Sequence, residues 1–252
     1  MVDTLGITFI GHATVLLEIN GMRIITDPLL RNRVLHLRRQ HRFVDNFIAN
    51  DVDIVLISHA HWDHLDIPSL KSIGTSTPLI VPRGVKKLLS KKGFQQVSEV
   101  TVGESIDTGD VTIRATHADH DGARLRFGQA AESIGYIIDG SHRIYFPGDT
   151  ALYPRMSELA VCLDLALLPV WGWGPNLGPG HMNPYQAALA LRLLSPKIAI
   201  PIHWGTMFPI GFRWMFPRLL ADPPHAFYNF AAKLAPDVQV KILAPGAKLQ
   251  IE

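Results

Sequence analysis

Eight consecutive residues, His59-Ala60-His61-Trp62-Asp63-His64-Leu65-Asp66, hold three histidines and two aspartates. They follow Ser58 and the apolar run Ile54-Val55-Leu56-Ile57. That run is short, β-branched and bounded by polar residues, so it reads as a buried strand. The polar cluster therefore lies just beyond a strand's C-terminal end, where α/β sheets hold their ligands. Imidazole and carboxylate are the donors that borderline divalent metals such as Zn²⁺ take. In extended chain, residues two apart point the same way, so His59 and His61 can grip one ion. Asp63 and His64 follow where the chain turns toward a helix and can serve a second ion beside the first.

The chain of 252 residues is long enough to bury a large core. Apolar residues make up 47% and charged residues 18%, a globular balance. A net charge of +2 gives no argument for nucleic acid. Twelve histidines are an excess that points to metal or proton chemistry. The single Cys162, within Leu159-Ala160-Val161-Cys162-Leu163, reads as a buried thiol. The first residues show no basic stretch followed by an apolar one. No apolar run approaches the ~18 residues of a membrane span. The expectation is a cytoplasmic protein forming one domain over residues 1–252, since no linker or repeat divides it.

The N-terminal third reads as strands. Ile7–Ile10 and Thr14–Ile19 precede Asn20-Gly21, a strong hairpin signal, and Met22–Thr26 returns. Asp27-Pro28 closes that strand. His12 and Asp27 stand at strand ends, either as turn residues or as partners that orient metal-bound histidines. Residues 31–42 carry five arginines and two histidines and no acid. A solvated basic face is the simpler reading, and an anion-gathering rim the sharper one. Leu35 and Leu37 between the charges allow contact with a membrane surface.

Further on, the sequence predicts a helix over Pro68–Gly74, a strand at Leu79–Val81 and an amphipathic helix over Val85–Gly93. Short strands follow near Gln96–Val100, Glu104–Ile106 and Val111–Ala115. The last of these runs into a second polar cluster, His117-Ala118-Asp119-His120. Ile134–Asp139 and Arg143–Phe146 form a hairpin that delivers Asp149 from a Pro147-Gly148 turn. Leu163–Val170 is a buried strand leading into a Gly/Pro/Trp loop with Trp171, Trp173 and His181, a composition that often borders binding sites. Asn183 is an N-cap and Pro184 the first residue of a helix to Leu194. Ile198–Ile202 is a buried strand that delivers His203.

Four strand ends thus offer metal-type residues. The order HxHxDH, His, Asp, His resembles the metallo-β-lactamase superfamily over nearly the whole chain. Gly11-His12-Ala13-Thr14, Thr26-Asp27-Pro28, Gly148-Asp149-Thr150, His181-Met182-Asn183-Pro184 and His203-Trp204-Gly205-Thr206 carry a closer likeness. They resemble the branch of N-acyl-phosphatidylethanolamine phospholipase D and L-ascorbate-6-phosphate lactonase. The resemblance implies an α/β fold, a four-layer αββα sandwich with two metals at one edge. It implies that His59, His61 and His117 hold one ion, that Asp63, His64 and His203 hold the other, and that Asp149 bridges. His120 competes with His117, which is preferred for its distance from Ala115.

The implied cofactors are two divalent ions, Zn²⁺ first, with Mn²⁺ or Fe²⁺ as alternatives. Two ions sharing a water bring its pKa toward neutrality, and the hydroxide attacks phosphorus or a carbonyl carbon. Asp63 would orient the nucleophile as well as bind metal. His181 would donate a proton to the leaving group, unless it is a plain loop histidine. The expected activity is hydrolysis of a phosphodiester or a lactone of a small or lipid-derived anionic substrate. A di-iron redox protein and a non-catalytic binding module are the competing classes. A homo-oligomer fits, and a nucleic-acid partner is not expected.

Overall fold

Asn20 and Gly21, with φ of 50° and 78°, make the first tight turn. The structure is a computed structural model describing residues 4–41, 51–122 and 131–252. Strands β1 (Leu5–Gly11), β2 (Thr14–Ile19) and β3 (Met22–Thr26) form an antiparallel meander around that turn. A small hairpin, β4 (Arg33–Val34) and β5 (Leu37–Arg39), stands apart from it. Strands β6 (Ile54–Leu56), β7 (Leu79–Pro82) and β8 (Val97–Val100) extend the meander in parallel from β3. Helices α1 (Ile67–Ile73) and α2 (Lys86–Ser90) make the crossovers. The Asp66 side chain caps α1 by accepting from the Ser69 N–H, and Gly74 ends it.

The second sheet repeats the plan. Strands β9 (Ser105–Asp107), β10 (Thr112–His117), β11 (Ile134–Asp139) and β12 (Arg143–Phe146) are antiparallel. Strands β13 (Leu165–Pro169) and β14 (Ile198–Ile202) continue in parallel, joined by α3 (Pro184–Leu194). Its start is a full capping box between Asn183 and Gln186. Strand β15 (Met207–Pro209) leaves this sheet and pairs with β5. Helix α4 (Asp222–Leu234), strand β16 (Gln239–Val240) beside β14, and strand β17 (Lys248–Ile251) beside β1 complete the chain.

Alternation along the strands separates the layers. Leu17, Ile24 and Leu56 face the second sheet, in the cluster that holds Tyr136, Ile138 and Tyr145. Their neighbours Leu16, Ile25 and Val55 face outward onto Leu70 of α1 and Leu89 of α2. Ala187 and Leu191 of α3 with Phe227 and Ala231 of α4 cover the far sheet. The result is helix, sheet, sheet, helix, and each fully buried Leu or Ile contributes about 1.5–3 kcal/mol. The Tyr136 hydroxyl crosses between the sheets and donates to the carbonyl oxygen of Ile57 at 2.7 Å. That contact ties the second sheet to the strand that leads into the histidine cluster.

Two expectations change, and one helix appears that the sequence did not mark. Cys162 is exposed, because it lies on a turn with φ of 50° before β13 rather than inside the strand. Helix α2 is shorter than Val85–Gly93, with its last turn opened ahead of Gly93. Helix α4 begins Asp222-Pro223-Pro224 with no side-chain cap bond, so it announced itself poorly.

Candidate metal centre

Every candidate ligand is set at one end of the sandwich by a strand that stops there. The chain after β6 supplies His59, His61, Asp63 and His64; β10 leads to His120, β12 to Asp149 and β14 to His203. His12 and Asp27 follow β1 and β3. His12, Asp27 and His203 have φ of 58°, 34° and 60°. Non-glycine residues avoid that region, at a cost of about 1–2 kcal/mol each. The strain turns each side chain sharply inward at its strand end.

Two sets of donor atoms converge there. In the first, His59 Nε2 lies 2.9 Å from His61 Nδ1, which lies 3.1 Å from His120 Nε2. In the second, His64 Nε2 and His203 Nε2 are 3.1 Å apart, and Asp63 Oδ2 is 3.8 Å from His64 Nε2. Asp149 stands between the sets. Its Oδ2 is 4.0 Å from His59 Nε2 and 3.2 Å from His64 Nε2, and its Oδ1 is 3.2 Å from His203 Nε2. Asp149 is buried, and its Oδ1 has no hydrogen-bond partner.

The far nitrogen of four rings fixes what the near one offers. His64 Nδ1 meets Asp27 Oδ2 at 2.7 Å, and His203 Nδ1 donates to the carbonyl oxygen of Trp171 at 3.0 Å. His120 Nδ1 donates to the carbonyl oxygen of Gly180 at 2.8 Å. His59 Nδ1 donates to Ser58 Oγ at 2.9 Å, and that hydroxyl donates onward to Asp27 at 2.5 Å. With Nδ1 of each ring anchored outside, all four rings turn Nε2 toward the centre, the arrangement that orients metal-bound histidines. The donor set fits divalent ions of the zinc, manganese or iron type.

Burial and neighbouring charge set the proton affinities. Burial holds His59 and His203 well below the usual imidazole value. Burial, then His120 and His64, push His61 down to about 4. Burial also opposes charge on His64, but Asp149 and Asp63 outweigh it and raise that ring. Burial would raise Asp63 and Asp149, yet the surrounding histidines hold both carboxylates well below their usual range. Neutral rings at His59, His61 and His203 beside ionised carboxylates are states that a divalent ion takes, and on His64 an ion would displace the proton that Asp149 and Asp63 favour.

A family model described as the beta-lactamase superfamily domain matches residues 22–204. The chain belongs to the metallo-β-lactamase superfamily. It is 31% identical over 230 residues to N-acyl-phosphatidylethanolamine-hydrolyzing phospholipase D 1 of Caenorhabditis elegans, a match covering 81% of this chain and 64% of that one. It therefore spans somewhat less than two thirds of the nematode enzyme. It is 29% identical to a UPF0173 metal-dependent hydrolase of Methanopyrus kandleri, over 95% of this chain and 97% of that one. The solved structure of Igni18, a metallo hydrolase from Ignicoccus hospitalis, superposes with a TM-score of 0.73 at 25% identity, over 99% of both chains. Relatives that it matches almost end to end, such as the Methanopyrus protein, carry the name metal-dependent hydrolase.

Within the superfamily fold, His117 does not take the place expected of it. Strand β10 runs through His117, which still pairs with Ile134, and its ring is exposed against Tyr153. The chain turns inward only after it leaves the strand, so His120 joins His59 and His61. Thr150 Oγ1 accepts the Asp119 N–H and fixes that turn. The HADH cluster carried this signal, and two further strand residues, Thr116 and His117, decided between its histidines.

His12, Asp27 and Trp171 hold the ligands from behind. His12 Nε2 is 2.9 Å from Asp63 Oδ2, and its backbone N–H donates to Thr206 Oγ1. Asp27 accepts from the Ser58 N–H and hydroxyl as well as from His64. Burial raises its carboxyl against these bonds. Trp171 acts through its carbonyl. Ser58, Thr206 and the Gly180 carbonyl have the same supporting place and were not singled out for it from sequence.

His181 Nε2 lies 3.2 Å from Asp149 Oδ2, while Nδ1 donates to the Pro179 carbonyl at 3.0 Å. Burial opposes charge on His181, but Asp149 more than offsets it and raises its pKa. The ring borders a cavity of about 370 Å³ that runs from His61, Asp63 and Asp149 out past Trp62, Trp173 and Leu177 to Leu35. Among the described residues, no Lys or Arg lines that cavity. Of the arginines that could have formed an anion-gathering rim, the alternative to a solvated face, Arg31 and Arg39 have other partners. Arg31 pairs with Asp66 at the cap of α1. Arg39 is buried and donates to the carbonyls of Leu29 and Arg31, burial lowering it to about 10. Arg42 lies outside the described residues.

Proposed function

We propose that the chain holds two divalent ions, one in each donor set with Asp149 between them, and hydrolyses a phosphodiester that carries an apolar group. The observation behind this reading is the convergence of four Nε2 atoms, each on a ring whose Nδ1 is anchored outside. When bound, the two ions would supply an acidified water and a Lewis acid for the oxygen that gains charge. His12 keeps Asp63 in one orientation, so the carboxylate can bind and align the attacking group. His181, with Nδ1 anchored on a carbonyl, presents Nε2 to the leaving group as a proton donor. Trp62, Trp173 and Leu177 wall off solvent and receive the apolar part. The likeness to the nematode phospholipase supports the phosphodiester, whose single charge needs no cation beyond the metals.

The apolar, cation-free lining among the described residues also favours a second substrate, a lactone or other neutral ester. One experiment separates them. The protein is loaded with Zn²⁺ or Mn²⁺, its metal content is measured, and it is offered aryl phosphodiesters and aryl lactones of matched size. Turnover of the phosphodiester with two ions per chain supports the first reading. Turnover of the lactone alone moves the assignment to the second. Binding of a single ion removes the bridging role of Asp149.

A further inference from the structure

The hairpin of β4 and β5 and the segment that follows β15 make one surface. Arg38 and Leu37 pair with Phe208 and Pro209, and the Ile210 N–H donates to the His36 carbonyl at 2.9 Å. This surface is unusually apolar for exposed chain. Trp214 is 78% exposed, Leu35 58%, Met215 50% and Phe212 46%. Water is a poor solvent for so many large side chains standing together, and contiguous patches of this kind mark interaction sites. Leu37 itself is buried with Val34 and Met207 and takes no part.

Charge decides what the surface meets. Arg33, Arg38, Arg213 and Arg218 are exposed on or beside it. Neither residues 29–41 nor residues 207–221 contain an Asp or Glu. Arg33 and Arg38 are direct cross-strand partners. Like charges placed opposite each other destabilise a sheet, and anions between them would relieve this. A second copy docked face to face on a two-fold axis would set this acid-free surface against its own arginines. An anionic bilayer offers what fits: phosphates for the guanidiniums, and an interfacial layer where indole and phenyl rings settle.

We infer that this face docks on a membrane containing anionic phospholipid, with Trp214 and Phe212 entering the headgroup region and Arg38 and Arg213 on phosphates. Leu35, at the hairpin tip, also lines the mouth of the active-site cavity. Docking therefore turns that mouth toward the bilayer. The inference stands on the surface alone and is independent of which bond the centre cleaves.

The test is sedimentation of the metal-loaded protein with vesicles of phosphatidylcholine, alone or mixed equally with phosphatidylglycerol. The mixed vesicles should bind it, salt should weaken binding, and phosphatidylcholine alone should hold at least about tenfold less. Phe212→Ser with Trp214→Ser should lower binding about tenfold or more, as should Arg38→Glu with Arg213→Glu. All four positions are exposed, so thermal melting should not move. Equal binding to both vesicles overturns the anionic preference. Absence of binding overturns the inference outright, and light scattering then shows whether a second copy covers the face instead.

Discussion

The Nε2 atoms of His64 and His203 stand 3.1 Å apart, with Nδ1 of the first ring on Asp27 and Nδ1 of the second on the Trp171 carbonyl. Two ring nitrogens brought this close in a buried place beside Asp149 form a site for a cation. Removing metal with a chelator should therefore lower the melting temperature, since ligand binding to the native state stabilises it. The fold should survive, because the two-sheet core does not depend on the centre. Calorimetry with and without chelator checks this, and complete unfolding on chelation would falsify it.

Substitutions at the two competing histidines give opposite results. His120→Ala should lose the first ion, because it removes one of three converging nitrogens. His117→Ala should retain both ions and nearly full turnover, since that ring is exposed against Tyr153. Metal counting by mass spectrometry on the two variants decides the assignment, and retention of both ions in His120→Ala would return it to His117.

Asp27 acts on both donor sets, directly through His64 and through Ser58 on His59. Asp27→Ala should weaken metal binding roughly 10–100-fold, the range for partners of metal-bound histidines. Asp27→Asn should weaken it less, because an amide oxygen still accepts from His64 Nδ1. Competition against a chelator of known affinity measures both.

His181→Ala should keep both ions while turnover falls about 10²–10⁴-fold. The expectation rests on the 3.2 Å approach of His181 to Asp149 and on its place at the cavity wall. Loss of an ion in this variant would make His181 a ligand, and unchanged turnover would leave it a loop residue.

Away from the centre, Asp164 accepts from Lys197 Nζ at 2.7 Å and from the Arg143 N–H at 2.8 Å. Burial alone would raise its carboxyl, but these partners outweigh it and lower its pKa from 3.8. A carboxylate depressed in the folded state stabilises at pH values above its unfolded value. That stability is lost as pH falls through the lower, folded value. Asp164→Asn should cost about 0.5–1 kcal/mol near neutrality, the range for a largely solvent-screened pair. The gap from the parent should close in melts run below about pH 3.8.

The strands and the helix behind Asn183 were legible because each has a local signature. Asn20-Gly21 allows only a tight turn, and Asn183-Pro184 with Gln186 is a complete helix start. HxHxDH was legible for the same reason, since spacing alone aligns its rings. What the sequence concealed was long-range. Whether His117 or His120 turns inward depends on where β10 stops and on Thr150, 31 residues from its partner Asp119. The arginines of residues 31–42 read as one group, yet the fold divides them between the cap of α1, buried carbonyls and the open surface. Burial of that kind is settled by distant partners, such as β15, that no local pattern announces.

Because His64 and the Ser58–His59 pair lean on the same buried carboxylate, the two halves of the centre share one support. A lineage drifting toward a single ion could shed Asp63 or His203 and keep the other half intact. It could not shed Asp27 on the same terms, since either surviving half would still orient a histidine through it. The residue freest to vary in such a drift is a ligand, and the one held fast touches no ligand atom facing the centre.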